Sequence, residues 1–199
     1  MMQPAIALLE LDSVALGTRV ADAMVKRAPI EVLRIGTVQP GNYLILVGGS
    51  VAAVEEAHVE GLRLAGDALL DEIILPHVHE QVYASVEGAR RPAEGDALGV
   101  LETSSIPANV RAADRAVKSA DVTIVEIRLG DGLGGKGITH VTGRVADVEA
   151  AIAAGVSSVT NPDIAVRSVV IPAQHADLRG RVERSTRFAI DAPARPERG

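Results

Sequence analysis

The sequence predicts an α/β protein made of two tandem copies of one β-α-β-β-α-β domain. Three observations carry that prediction: an internal repeat, an aliphatic core with almost no aromatics, and a regular alternation of strand-like and helix-like stretches. The repeat comes first because missing one misreads a whole fold. Residues 6–35 read IALLELDSVALGTRVADAMVKRAPIEVLRI, and residues 98–127 read LGVLETSSIPANVRAADRAVKSADVTIVEI. Identities fall in order at Leu9/Leu101, Glu10/Glu102, Ser13/Ser105, Arg19/Arg111, Asp22/Asp114, Lys26/Lys118 and Ala28/Ala120. VGGSVAAVEEA at 47–57 then matches VTGRVADVEAA at 141–151, and ILPHVH at 74–79 matches VIPAQH at 170–175. The order is kept and the gaps are small.

Each element of one repeat follows from local pattern. Residues 6–11 are a short apolar run and read as a strand. Ser13 is placed to cap a helix from Val14 to Ala28, which Pro29 ends. Residues 30–38 are β-rich and meet the turn signal Gln39, Pro40, Gly41, Asn42; residues 43–47 return as the partner strand of a hairpin. Ser50 caps a second helix over residues 51–65. Residues 69–75 form the fourth strand, closed by Pro76, and a short helix is expected after it. The first domain is assigned to residues 1–90 and the second to 95–188, joined by the polar linker EGARRPAE at 87–94. The Pro- and charge-rich residues 189–199 read as a flexible tail.

Composition narrows the function. Of 199 residues, 47% are hydrophobic but only 2% aromatic, so Val, Ile, Leu and Ala must build the core. Such a chain lacks the flat rings that stack bases, sugars or flavins. The net charge is -6, and the basic residues are interleaved with acids rather than run together. This argues against nucleic acid or an anionic membrane as partner. No apolar run approaches the roughly 20 residues that span a bilayer, and a cytoplasmic location is expected. The chain has no cysteine, which excludes disulfides, thiolate nucleophiles and Cys-ligated metal or iron–sulfur centres.

The candidate motifs are weaker than they look. GDGLGGKG at 130–137 matches G-x-G-x-x-G and nearly matches a P-loop. Both phosphate loops must lead from a strand into a helix. Here ITHVTG follows, which is a strand, and Gly137 replaces the magnesium-binding Ser or Thr, so the segment reads as a hairpin loop. His77 and His79 form H-x-H, but only His175 recurs in the second copy, and a metal needs three or four ligands. Glu10 and Glu102 end the first strands just before a helix cap, a setting for capping and subunit contact more than for acid–base catalysis. Ser13 with His58 or His79 has no nucleophile motif. No catalytic constellation emerges, and no enzyme activity is expected. Asp22 with Lys26, and Asp114 with Lys118, are i,i+4 pairs worth a few tenths of a kcal/mol each. Their recurrence in the same frame in both copies asks for more than helix stability.

These residues carry a family resemblance. LLELDS (8–13), ADAMVKRA (21–28), PGNY (40–43) and VGGSVAAV (47–54), with VLETSS (100–105), AADRAVKSA (112–120) and GGKG (134–137) in the second copy, resemble bacterial microcompartment shell domains. The whole of residues 5–188 is similar to the tandem-domain, trimer-forming class. The resemblance implies a ferredoxin-like fold and a homotrimer shaped as a pseudohexamer. It implies tiling with hexameric and pentameric shell proteins around encapsulated enzymes. Asp22, Lys26, His79, Asp114, Lys118 and His175 would lie at assembly edges. A central pore for small metabolites would be lined by Gln39, Pro40, Gly41 and Asn42 from one domain and by Gly130, Asp131, Gly132, Leu133, Gly134 and Gly135 from the other. Some relatives hold an iron–sulfur cluster through a cysteine at the position of Gln39, so no such cofactor is expected here. Three copies of Asp131 near one axis would disfavour anions. The alternative is a trimeric small-ligand-binding or regulatory protein that does not tile.

Overall fold

A computed structural model describes residues 4–187. Phe188 and the tail assigned to 189–199 lie outside the described residues. The first repeat folds as β1 (Ala5–Leu11), α1 (Val14–Arg27), β2 (Glu31–Val38), β3 (Asn42–Gly49), α2 (Val51–Ala65), β4 (Leu69–Leu75) and α3 (Glu80–Val86). The second gives β5 (Ala97–Thr103), α4 (Ile106–Ser119), β6 (Val122–Leu129), β7 (Gly137–Gly143), α5 (Val145–Ser157), β8 (Val166–Pro172) and α6 (Ala176–Arg184). The sheets have orders β2-β3-β1-β4 and β6-β7-β5-β8, with every pairing antiparallel. The two copies thus share one ferredoxin-like arrangement.

β1 shows why its sequence is a continuous apolar run rather than an alternation. All seven of its residues are buried, because both faces of the strand are covered. Ala5, Ala7, Leu9 and Leu11 pack with Val20 and Met24 of α1 and Val54 of α2. Ile6 and Leu8 face the other way, into a cluster with Leu44, Leu46, Val82 and Val86. That cluster continues through Ile73 and Val78 into Leu101, Ile106, Val110 and Ile124 of the second domain. The two domains therefore share one apolar core across their junction.

Helix starts follow the sequence signals. Ser13, Ser50 and Ser105 accept the amide hydrogens of Leu16, Ala53 and Ala108 at 3.3, 3.3 and 3.1 Å. In the second copy Arg144 stands where the first has Ser50, and α5 has no side-chain cap. One feature has no local signal: each repeat carries a β-bulge in the outer hairpin strand, between Val32 and Arg34 and between Ile124 and Glu126. The short helix expected after the fourth strand is present in both copies, as α3 and α6. α6 lies over the sheet face opposite α4 and α5, where Val182 meets Leu98 and Val125.

Candidate functional site

The residues that both copies keep converge on the seam between the domains. Glu10 ends β1 and is 3% exposed. One carboxylate oxygen accepts from Asn42 Nδ2 at 2.8 Å and the other from the Ile106 amide at 3.1 Å. Glu10 thereby holds a hairpin-loop residue and the start of α4 at once, using the unpaired amides of a helix N-terminus. Burial pushes its carboxyl above the usual range; the bonds from Asn42 and Ile106 pull the other way, and nearby Asp71 adds to the rise. Asp71 also accepts a hydrogen bond from Ser105, the α4 cap.

Along α4 the contacts continue. Arg111 donates to the carbonyl of Glu72 at 3.1 Å. Asp114 accepts the His79 amide at 2.8 Å and pairs with Lys118 at 2.5 Å. Lys118 donates to the His77 carbonyl, also at 2.5 Å. His79 caps α3, its Nδ1 accepting the Gln81 amide at 3.2 Å. Gln81 closes the edge of β6: its side-chain oxygen accepts the Ile124 amide at 2.8 Å and its nitrogen donates to the Val122 carbonyl at 3.3 Å. Arg111 and Gln81 at this seam carried no motif. Only the repetition of Arg19 as Arg111 marked one of them.

The same positions in the first repeat stand open. Asp22 and Lys26 pair at 2.6 Å, but their side chains are 61% and 74% exposed, against 7% and 36% for Asp114 and Lys118. Ten residues of α4 are buried and only four of α1. The edge strand β2 is largely exposed, including Val32 and Ile35, whereas β6 is largely buried. On the opposite side, Val169 of β8 and Leu178 of α6 are exposed, and so is His175, the α6 cap. Glu102, the counterpart of Glu10, bonds Lys136 at 2.9 Å, and Lys136 occupies the position of Asn42. Its second oxygen has no partner among the described residues. Each chain therefore carries one filled seam and the two unfilled halves of another.

The two hairpin loops lie side by side. A side chain at Gly135 would stand 3.3 Å from Pro40 and 3.4 Å from the carbonyl of Gln39. Gly130, Gly132, Gly134 and Gly135 all take positive φ, between 61° and 86°, which explains why this loop is written in glycine. A strand, β7, follows the loop, so its backbone amides do not open a helix. Asp131 does not stand as a free negative charge. Its carboxylate accepts from Arg187 at 3.0 Å, and its carbonyl accepts from Arg128 at 3.0 Å. The expected exclusion of anions by Asp131 therefore loses its charge basis. Arg187 lies 56 residues further along the chain, where no local pattern links it to the loop. His77 and His79 do not converge with other ligands; among the described residues no group of three or more His, Asp or Glu is placed to hold a metal.

Comparison with known proteins agrees with this architecture. The BMC domain family matches twice, at residues 5–78 and 97–174. The bacterial microcompartment shell protein PduT of Citrobacter freundii is 39% identical over 177 residues, covering 89% of this chain and 96% of that protein. A crystal structure of a microcompartment protein from Desulfitobacterium hafniense superposes with a TM-score of 0.80 at 41% identity, covering 90% of this chain and 99% of the other. A fused permuted hexameric shell protein of the RMM microcompartment shares the fold at TM-score 0.62 and 23% identity, covering 78% of this chain and 83% of its own. With both repeats matched and the seam built from the residues they share, this chain belongs to the BMC domain family of bacterial microcompartment shell proteins.

Proposed function

We propose that this chain is a structural, non-catalytic shell component. Three copies close head to tail into a six-domain ring, and the two kinds of hairpin loop surround its central opening. The observation that carries the ring is the contrast between filled and unfilled seams. Within the chain, α4 and β6 meet β4 and α3; the repeat-equivalent α1 and β2, and β8 and α6, are exposed. A surface on one copy that matches a different surface on the next is heterologous, and such contacts form rings when the rotation closes. Repeating the domain-to-domain rotation gives each partner contact in advance. Glu102 takes the Val14 amide of the next copy, Asp22 takes the His175 amide, and Lys26 reaches the Ala173 carbonyl. The opening holds no cysteine-ligated cluster and passes small metabolites. The ring tiles beside hexameric and pentameric shell proteins around encapsulated enzymes.

Electron microscopy of the purified protein at low salt tests this reading. Flat sheets or tubes are expected, and Lys26→Glu is expected to abolish them while the chain stays folded. Lys26 is the better probe than Lys118, which is already engaged inside the chain. Discrete three-chain particles without lateral order would favour the non-tiling alternative, and particles unchanged by Lys26→Glu would contradict the ring contact itself.

A further inference from the structure

One cavity is unlike the rest of this acidic chain. It measures about 280 Å³ and lies between the linker, β6 and the end of α6. Five arginines line it: Arg34 from β2, Arg90 from the linker, Arg128 from β6, Arg184 from α6, and Arg187 beyond it. Among the described residues only two carboxylates join them, Glu126 and Asp131, a surplus of three positive charges within that lining. Both carboxylates are already engaged. Glu126 pairs with Arg90 and accepts from Thr186 at 2.8 Å, and Asp131 pairs with Arg187. Among the described residues Arg34 donates only to the Val86 carbonyl, at 3.2 Å. Arg128 meets a carbonyl at 3.0 Å and, at 3.5 Å, Thr186. Among the described residues, no carboxylate pairs with Arg34, Arg128 or Arg184. The Nε atoms of Arg90 and Arg128 are buried without an acceptor, so donors outnumber acceptors as well as charges. Burial is the main cause that pushes the Arg128 guanidinium down; Glu126 and Asp131 oppose the fall, and Arg187 and Arg90 add to it.

We propose that this cavity binds a small phosphate-bearing molecule. A guanidinium fork matches the oxygens of a phosphate two at a time, and a di- or trivalent anion offsets a surplus of this size. Arg34, Arg184 and Arg187 are exposed at the mouth, and Arg90 and Arg128 are half-buried at the base beside buried Glu126, where charge pairing is screened less than at the rim. The site is read in one chain. It adjoins the base of the 130–135 loop through Leu129 and Asp131. A bound anion would therefore replace the like-charge crowding beside that loop with bridging contacts.

Calorimetric titration of the full chain with sodium pyrophosphate at low ionic strength tests the site. Saturable binding of one pyrophosphate per chain is expected, weakened at least about tenfold by Arg34→Gln and by Arg128→Gln. Arg144→Gln, distant and paired with Asp147, should bind as the wild type does. The thermal midpoint of the wild type should rise with pyrophosphate and that of Arg34→Gln should not. Arg34 gives up one carbonyl contact, so this variant keeps the test valid if Arg128→Gln folds poorly. Lack of saturation by about 1 mM, equal loss in Arg144→Gln, or succinate binding as tightly as pyrophosphate would each overturn the proposal.

Discussion

Asp114→Ala is expected to cost the folded chain about 2–4 kcal/mol, and Asp22→Ala, its repeat counterpart, under about 0.5 kcal/mol. The two residues occupy the same helix position and make the same i,i+4 pair with lysine. They differ in what covers them. Asp114 is buried, and truncating it leaves the His79 amide and Lys118 without their acceptor at the domain junction. Asp22 is exposed and, among the described residues, bonds only Lys26. Its loss should appear in association instead. If Asp22 meets the next copy's His175 amide as Asp114 meets His79, removing about 2 kcal/mol weakens each contact between copies about thirtyfold. Denaturant unfolding over a range of chain concentrations separates the two effects. Asp114→Ala lowers stability at every concentration; Asp22→Ala alters only the concentration-dependent part. Equal, concentration-independent losses would mean that the repeats do not play the same role within and between chains.

His140→Leu is expected to remove much of the acid sensitivity of folding between about pH 6.5 and 4. His140 lies on β7 with its Nδ1 buried and unpaired. Burial is the main cause that lowers its pKa from 6.5 to about 4; Glu126 opposes the fall, and Arg90 and Arg128 add to it. The unfolded chain takes up this proton near pH 6.5 and the folded chain only near 4. The neutral imidazole's contribution is thus complete above pH 6.5 and is lost as pH falls through 4. The shift corresponds to about 3 kcal/mol. Leu46 fills the corresponding position of the first repeat with no titrating group, which makes leucine the natural replacement. Glu10, whose carboxyl is raised by burial, acts in the opposite direction and is common to both proteins, so it cancels in their difference. Urea midpoints at pH 7 and pH 4.5 measure it. A wild-type loss between those values no larger than that of His140→Leu would contradict the assignment.

The order of strands and helices could be read from the sequence because each signal was local. Ser13, Ser50 and Ser105 cap the helices they precede, and the turn at residues 39–42 joins two strands. The seam was half legible. Repetition singled out Glu10, Arg111, Asp114 and Lys118, but the groups they touch, the Ile106 and His79 amides and the Glu72 and His77 carbonyls, became visible only when α4 was set against β4. The bulges at Leu33 and Val125 had no signal, since an extra residue in a strand looks like any other apolar residue. The arginine cavity was hidden for a different reason. Its cations are scattered over Arg34, Arg90, Arg128, Arg184 and Arg187, so no run of charge appears along the chain. Asp131 misled in the same way: read alone it is an acidic loop residue, and read with Arg187 it is half of an ion pair.

A contact seen once inside the chain is expected to recur between chains until three copies close. Because the chain has no cysteine, a single engineered pair gives an unambiguous readout. Asp22→Cys combined with His175→Cys should cross-link chains through a short thiol-reactive linker into covalent dimers and closed trimers. Native mass spectrometry of the untreated protein should show three chains. A product that stops at one chain, or a native mass of one or two chains, would contradict closure through this contact.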